Sequence, residues 1–424
     1  MPVPLERARE ILSRLSHGED PAVRAQALQP DTETPVPPGV PRSWDWTAQA
    51  WEQRLAFLAA RGHHVDTMAL RHPPPDPSEL QGNIEQFIGY TMIPTGLIGP
   101  LRVRGLHASG DFYVPLATSE GTLISSYDRG ARLISRAGGA VAAVTSEQVQ
   151  RAPGFAFETL AQAAVFTAWC QERFERFREV AATRTRHGRL TDMLVHVDAN
   201  HVYLIFQFHT GDASGQNMVT LCTAAICEEI LAHAPVQPRY WFVEANMSGD
   251  KKATAQSFLF TRGRKATAEV VLPRKLVERG LKTTASRMQE CWQMNFVGGV
   301  QTGSIGVSGH VSNGLAAVFL ACGQDVATVS EASVGITRME DREGDLYCSV
   351  TLPNLIVGTV GGGTRLPTAR EALSLLGCTG TGTASKFAEI CASLCLAGEI
   401  SIGAAMCSNQ FATAHARLGR PGGR

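Results

Sequence analysis

Four ionisable residues stand in segments that are otherwise apolar, small or glycine-rich: Glu120 in PLATSEGTLISS, Lys251 in MSGDKKATAQSF, Asp325 in VFLACGQDVATV and His415 in QFATAHARLG. Segments of this kind read as buried, and a buried charge is costly unless it is paired or takes part in chemistry. A carboxylic acid, a cation, a second carboxylate and a histidine can together stabilise an oxyanion and move protons. The set points to an enzyme. Taken singly, each residue also has a structural explanation. Glu120 can offset a helix dipole, Lys251 and Lys252 can be a solvated pair, Asp325 can satisfy a buried donor, and His415 can lie on a terminal tail. Those explanations do not account for all four falling beside glycines and small residues that admit a ligand.

Two glycine-rich elements are suited to hold that ligand. In LYCSVTLPNLIVGTVGGGTRLPTAREALSLLG a β-prone run reaches Val357, and Gly358, Gly361, Gly362 and Gly363 allow a tight turn. A helix follows, with a capping box of Thr368 and Glu371 and a stop at Gly377. Strand, glycine turn and helix present free N–H groups to an anion such as a pyrophosphate. In HTGDASGQNMVTLCTAAI a strand runs through Gly211, Asp212, Gly215 and Asn217 into a helix. This lacks the GxGxxG spacing, and a plain helix start with an acidic cap explains it as well. Just upstream, Arg184, Arg186 and Arg189 can hold a phosphate or coat a solvated loop.

The elements that position these residues predict an α+β protein. The 424 residues exceed what one core supports, so two or three domains are expected. Residues 1–61 read as an N-terminal helical region and linker: a first helix, a Pro-rich connector, then TAQAWEQRLAFLAARG with Trp51, Leu55, Leu58 and Ala59 on one face and a stop at Gly62. Residues 62–152 and 241–424 form a large mixed domain around a central buried helix, SNGLAAVFLACGQDVATVSEA, which Asp325 interrupts. Residues 153–240 form an inserted small domain. From Ala140 the order is strand, helix (Phe155 to Ala182), a hairpin turning at Asp198-Ala199-Asn200, helix (Asn217 to Ala234) and strand (RYWFVEA), which is the ferredoxin-like split βαβ order.

Composition narrows the class. Lys+Arg and Asp+Glu are equal at 39 each, which gives no electrostatic case for nucleic acid or a membrane surface. The ten cysteines form no CxxC pair and read as reduced core thiols, so no metal site is expected. No apolar run approaches the roughly 18 residues of a membrane span, and the N-terminus is not a signal peptide. A soluble, cytoplasmic protein is expected.

The segments IGYTMIPTGLIGPL, ATSEGTLISSYDRG, GDASGQNM, SGDKKATA, ACGQDVA and IVGTVGGGT, in this order, resemble hydroxymethylglutaryl-CoA reductases. The likeness runs from about Gly82 to His415 and is nearest the class I type, in a soluble bacterial form. It implies reduction of hydroxymethylglutaryl-CoA by two hydrides from NADPH, through a hemithioacetal and mevaldehyde, to mevalonate and CoA. Lys251 would stabilise the oxyanion, Glu120 would donate a proton to the carbonyl, Asp325 would tune that pair, and His415 would protonate departing CoA. One carboxyl of the set is expected to stay protonated. Substrate contacts are implied at Arg151, Asn246, Asp250, Lys252 and Asn313. Cofactor contacts are implied at Asp212, Ser214, Gly215, Gln216 and Asn217, at Val360, Gly361, Gly362 and Gly363, and at Thr185 and Arg186 around a 2′-phosphate. The family also implies a homo-oligomer, tetramer or dimer, with shared active sites. Glu244 and Met294 depart from the family's usual serine and lysine near the substrate carboxylate, which keeps open a reductase of a different acyl-CoA thioester. A non-catalytic CoA- or nucleotide-binding relative is the other alternative. Ala414 replaces a phosphorylatable serine.

Overall fold

The computed structural model describes residues 28–41, 48–62, 80, 83 and 91–408, with positions 9, 13, 20 and 23. His415 and most of the first expected helix lie outside the described residues. Ten strands join in one sheet: β1 (Thr95–Gly105), β2 (Ser109–Ala117), β3 (Ala140–Arg151), β4 (Gly154–Ala156), β5 (Arg189–Asp198), β6 (His201–His209), β7 (Tyr240–Phe242), β8 (Gly263–Leu272), β9 (Ile336–Arg342) and β10 (Asp345–Leu355). The order is β7-β4-β6-β3-β8-β10-β9, with β1 on β3, β2 on β1 and β5 on β6. Pairing is antiparallel except between β1 and β3. The helices used below are α1 (Ala48–Ala59), α2 (Leu123–Arg136), α3 (Leu160–Glu172), α4 (Phe174–Ala182), α5 (Gln216–His233), α6 (Ala285–Gln301), α7 (Val311–Ala321), α8 (Pro367–Leu375) and α9 (Ala384–Cys407).

β3 runs through two hydrophobic cores. Its first half pairs with β1 and β8, whereas Val149–Arg151 pair with Phe206–Phe208 of β6. The larger core packs α2, α7 and α9 on β1, β3, β8 and β10. The second, rich in phenylalanine, fills the space between α3, α4, α5 and the strands β4, β5 and β6. Two-residue reversal at Ala199 and Asn200 joins β5 to β6, and Ala199 takes a positive φ of 51°, as a primed hairpin turn requires.

Several expectations are corrected. The central buried helix is α9, not the segment around Asp325: every residue from Phe387 through Ser401 is buried. Its composition is apolar all round, and Gly130 of α2 lets the two helices cross so closely that a Cβ there would collide with the Ala397 carbonyl. α9 is also long and apolar enough to cross a membrane by length and composition, with 83% of its most apolar window buried, so an apolar run of span length is present after all. The segment expected as the central helix ends at Ala321, and Asp325 instead caps a short 3₁₀ turn, Val326–Thr328, accepting the Ala327 N–H at 3.0 Å. Phe155 belongs to β4, and the following helix is broken into α3 and α4 at Arg173. α8 opens on Pro367 with no side-chain cap, since proline needs no N–H partner at that position, so Thr368 and Glu371 form no capping box. On α1, Leu58 is buried while Ala59 is exposed, and Phe57 joins Leu58 against Tyr113.

Candidate active site

An ion pair and an acid–amide pair each join residues from sequence-distant turns. Lys251 Nζ lies 2.9 Å from Asp325 Oδ2, their side chains 44% and 40% exposed. Asn313 Nδ2 donates to Glu120 Oε2 at 2.7 Å. Glu120 sits in the turn from β2 to α2, and Asn313 on the first turn of α7. Ala117, Leu123, Ser248, Gly249 and Cys322 nearby are buried, but neither the residues directly beside these charges nor the charges themselves are: Glu120 is exposed and the lysine pair stands in open reach of solvent. The expectation of buried catalytic charges is therefore corrected. The apolar neighbours face the cores while the ionisable side chains point the other way. Of the six non-glycine residues with positive φ among the described residues, three lie at or near these turns, Thr122 (75°), Asn246 (65°) and Lys251 (55°), and Ala199, Lys282 and Glu343 lie elsewhere. Backbone strain of this kind persists where surrounding contacts over-determine it, and it concentrates at functional sites.

A cavity of about 570 Å³ opens beside Glu120 and Asn313, walled by α2, α6 and α9 and including Ser126, Arg129, Trp292, His310 and Glu399. Lys251 and Asp325 are not on its wall. Arg129 was missed in the sequence, although it lies nine residues beyond Glu120 in the same segment. It donates to Ser401 Oγ at 3.0 Å and to the Ser401 carbonyl at 2.6 Å, and burial lowers its pKa. His310 was also missed, because a lone histidine beside glycine carries no signal. Its ring stacks on Tyr127 with centroids 4.8 Å apart, and its Nε2 meets the Gly398 carbonyl at 2.9 Å. Burial holds the imidazole pKa down, with Glu399 opposing.

Beneath Lys251 lies a buried ion-pair floor. Arg151 Nη1 meets Asp250 at 3.0 Å and Glu244 at 3.2 Å. Arg262, 1% exposed, meets Asp250 at 2.8 Å and Glu331 at 2.5 Å, and donates to Gln216 Oε1 at 2.6 Å. Burial works to raise the Asp250 pKa, but Arg262 and Arg151 prevail and hold it below the ordinary value. Glu331 goes the other way: burial pushes it up to about 6 against the pull of Arg262. Glu244 also accepts the N–H groups of Asn246 (2.8 Å) and Ala152 (3.2 Å) and the Ser248 hydroxyl (3.0 Å). Its charge is thus matched inside its own loop. Lys252 is exposed, with Nζ donating to the Asp250 carbonyl at 2.9 Å, and Met294 is 79% exposed on α6.

The two glycine-rich loops meet. The Asp212 carbonyl accepts the N–H groups of Thr359 (2.8 Å) and Val360 (3.3 Å). Its carboxylate accepts those of Gly382 (2.7 Å) and Ala384 (3.0 Å) at the start of α9. Asp212 therefore orders the loops and presents no free carboxylate. Gly215 is the N-cap of α5 with φ 75° and no side-chain cap, leaving Ser214, Gln216 and exposed Asn217 around an open helix start. Gly361 and Gly362 have positive φ and nothing within 4 Å of where a Cβ would stand, while Gly363 packs against Gly323. An open helix start beside an open glycine turn fits a dinucleotide phosphate. The Thr185 hydroxyl accepts the N–H groups of His187 (3.2 Å) and Gly188 (3.0 Å), fixing the turn that carries exposed Arg186.

Fold and site together define an α+β protein with an accessible lysine–carboxylate pair, an acid–amide pair on the wall of a cavity and a glycine-lined anion loop. The hydroxymethylglutaryl-coenzyme A reductase family profile matches residues 50–420, and the chain belongs to that family. It is 44% identical over 354 residues to the 3-hydroxy-3-methylglutaryl-coenzyme A reductase of Pyrococcus abyssi, covering 81% of this chain and 86% of the relative. With the Aeropyrum pernix reductase it shares 44% identity, over 82% of this chain and 84% of the relative. Among solved structures it is similar to the class II reductase of Streptococcus pneumoniae bound to NADPH in open conformations, with a TM-score of 0.69 at 17% identity. That match covers 84% of this chain and 97% of the other, and it establishes the fold alone.

Proposed function

We propose that the chain reduces 3-hydroxy-3-methylglutaryl-CoA to mevalonate and CoA, using the Glu120–Asn313 and Lys251–Asp325 pairs as its catalytic groups. The observation that carries this reading is the 2.9 Å Lys251–Asp325 pair, an accessible cation already oriented by a carboxylate. NADPH, when bound, would supply the two hydrides of this four-electron reduction, one from each of two cofactor molecules. The chain supplies the rest: Lys251 Nζ stabilises the negative charge that develops on the thioester oxygen, and Glu120, oriented by Asn313, delivers the proton. Asp325 holds the ammonium in place. His415 is assigned the protonation of the CoA thiolate.

Residues 153–240 are read as an inserted ferredoxin-like module for the cofactor, 62–152 and 241–424 as the substrate domain, and 1–61 as a helical extension. The strand order β7-β4-β6-β5 supports the module. Ser214, Gly215, Gln216, Asn217 and Val360–Gly363 are assigned to the dinucleotide, with Asp212 ordering them, and Thr185 and Arg186 to the 2′-phosphate. For the substrate carboxylate we assign Lys252, the exposed cation of the loop, with Arg151, Asn246 and Asp250 forming the ground beneath it. A cytoplasmic homo-oligomer with shared sites completes the reading, and the exposed apolar residues Met294, Val297 and Val300 on α6 support such a contact. The test is spectrophotometric: NADPH oxidation on adding hydroxymethylglutaryl-CoA, with release of free thiol. Turnover of other acyl-CoA thioesters at equal or greater kcat/KM would overturn the substrate assignment.

A further inference from the structure

Lys251 is held at both ends by one short segment. Its ammonium meets Asp325, the cap of the 3₁₀ turn, and its backbone N–H donates to Glu331 Oε1 at 3.1 Å. Glu331 lies on the helical turn Val329–Ala332 that directly follows, fully buried. Lys251 takes a left-handed φ of 55°, a conformation that costs a residue with a side chain on the order of 1 kcal/mol. The peptide flanking such a residue needs a specific partner for its N–H, and here that partner is a side chain, not secondary structure.

We propose that Glu331 is a positioning residue for Lys251: gripped by Arg262, its carboxylate oxygen accepts the Lys251 N–H, fixes the left-handed turn and so aims Nζ at Asp325. Three observations support this. The acceptor cannot drift, because Glu331 Oε1 also receives Arg262 Nη1 at 2.5 Å with neither side chain more than 1% exposed. The same arginine grips Asp250, the residue before the lysine, and Gln216, the first residue of α5. And Glu331 Oε2 has no hydrogen-bond partner among the described residues, where the carboxylate's polar contacts all pass through the one oxygen that faces Lys251. Lysine, acid and the start of the cofactor helix are thereby fixed to a single guanidinium.

The inference rests on Lys251 being the catalytic cation, and the test separates the two ideas. Two variants split Glu331 into its parts. E331Q keeps an acceptor oxygen at the same reach and loses the charge, whereas E331D keeps the charge and withdraws the acceptor by one carbon. Positioning predicts that E331D lowers kcat roughly ten- to hundredfold while KM for both substrates moves by less than about twofold, and that E331Q stays within about threefold of the wild type. The reverse ranking, equal losses, or two fully active variants would overturn it. Amide exchange in the unmodified protein gives a reading free of any folding defect: the Lys251 N–H should be protected from exchange, and a freely exchanging amide there would overturn the proposal too. K251A is the control. Retained turnover in K251A removes the catalytic assignment, while an inactive K251A beside a wild-type E331D removes the positioning role alone.

Discussion

The floor of the site and its rim use the same residue types to opposite ends. In the floor, Arg151 and Arg262 face Glu244, Asp250 and Glu331, and both guanidinium groups are almost wholly buried. At the rim, Lys251, Asp325, Glu120 and Asn313 form two pairs that solvent reaches. A charge that must act on a ligand has to be accessible, and an exposed pair adds at most about 1 kcal/mol to stability. A buried pair adds little net stability either, but removing one partner strands the other in a low dielectric. The floor is rigid because it cannot be broken cheaply, and the rim is reactive because it can.

The sharpest way to break that contrast is to cut each side once. R262A should destabilise the protein by about 3–5 kcal/mol in urea unfolding, because Glu331 and Asp250 lose their shared cation. K251A should leave unfolding within about 1 kcal/mol of the wild type. It should nonetheless lower turnover by roughly 10²–10³, about 2.7–4 kcal/mol of transition-state stabilisation, with NADPH binding nearly unchanged. A stable R262A, or a K251A that unfolds early, would erase the distinction between floor and rim.

A buried acid with no cation sharpens the comparison. Glu389, in the second turn of α9, accepts the backbone N–H groups of His107 (2.8 Å) and Ala108 (2.7 Å), and burial pushes its pKa up to about 7. Glu331, with Arg262 beside it, rises only to about 6. A carboxyl whose folded pKa is raised binds its proton more tightly in the native state. The stability it contributes is complete below the unfolded value near 4.5 and is lost as pH rises through about 7. E389Q carries no ionisable proton and keeps an acceptor for both N–H groups. Relative to the wild type it should therefore gain on the order of 2–3 kcal/mol between pH 5 and pH 8, read from urea unfolding at the two pH values. A pH-independent difference would mean that Glu389 ionises freely in the fold.

What the sequence disclosed follows the same division. Rim residues announced themselves because each stands in a short run of small and glycine residues, where a charge is conspicuous. Of the floor, Arg151, Glu244 and Asp250 were named through the family likeness, but Arg262 and Glu331 were not, since an arginine in a strand-like run and a glutamate at the end of an apolar segment carry no signal until the fold sets them against each other. The hairpin turn at Ala199 was readable from local chemistry, and so were the helix after it and the last strand, but the short β4 was taken for the start of a helix that in fact breaks at Arg173. The central helix was not. α9 carries Glu389 and Glu399 in its interior, and both take backbone N–H groups inside the core, Glu399 through both oxygens and Glu389 through Oε2. Hydrophobic periodicity cannot foresee that kind of compensation.

The smallest effect is expected where a charge has no partner at all. Arg186 is exposed on the turn between α4 and β5 and makes no ion pair among the described residues, in contrast to Arg184, which lies 3.9 Å from Glu228. A guanidinium left free in this way suits a phosphate, which it can meet with paired, charge-assisted hydrogen bonds that a ribose hydroxyl does not return. Such a contact is worth about 1.5–3 kcal/mol, or tenfold and more in affinity. R186A should raise KM for NADPH about tenfold and leave KM for NADH and the folding stability unchanged, and the preference of the wild type for NADPH should weaken with added salt. Equal weakening of both cofactors would place Arg186 on the shared part of the dinucleotide, and an unchanged NADPH KM would move the phosphate contact to Arg184 or Arg189, which are also exposed.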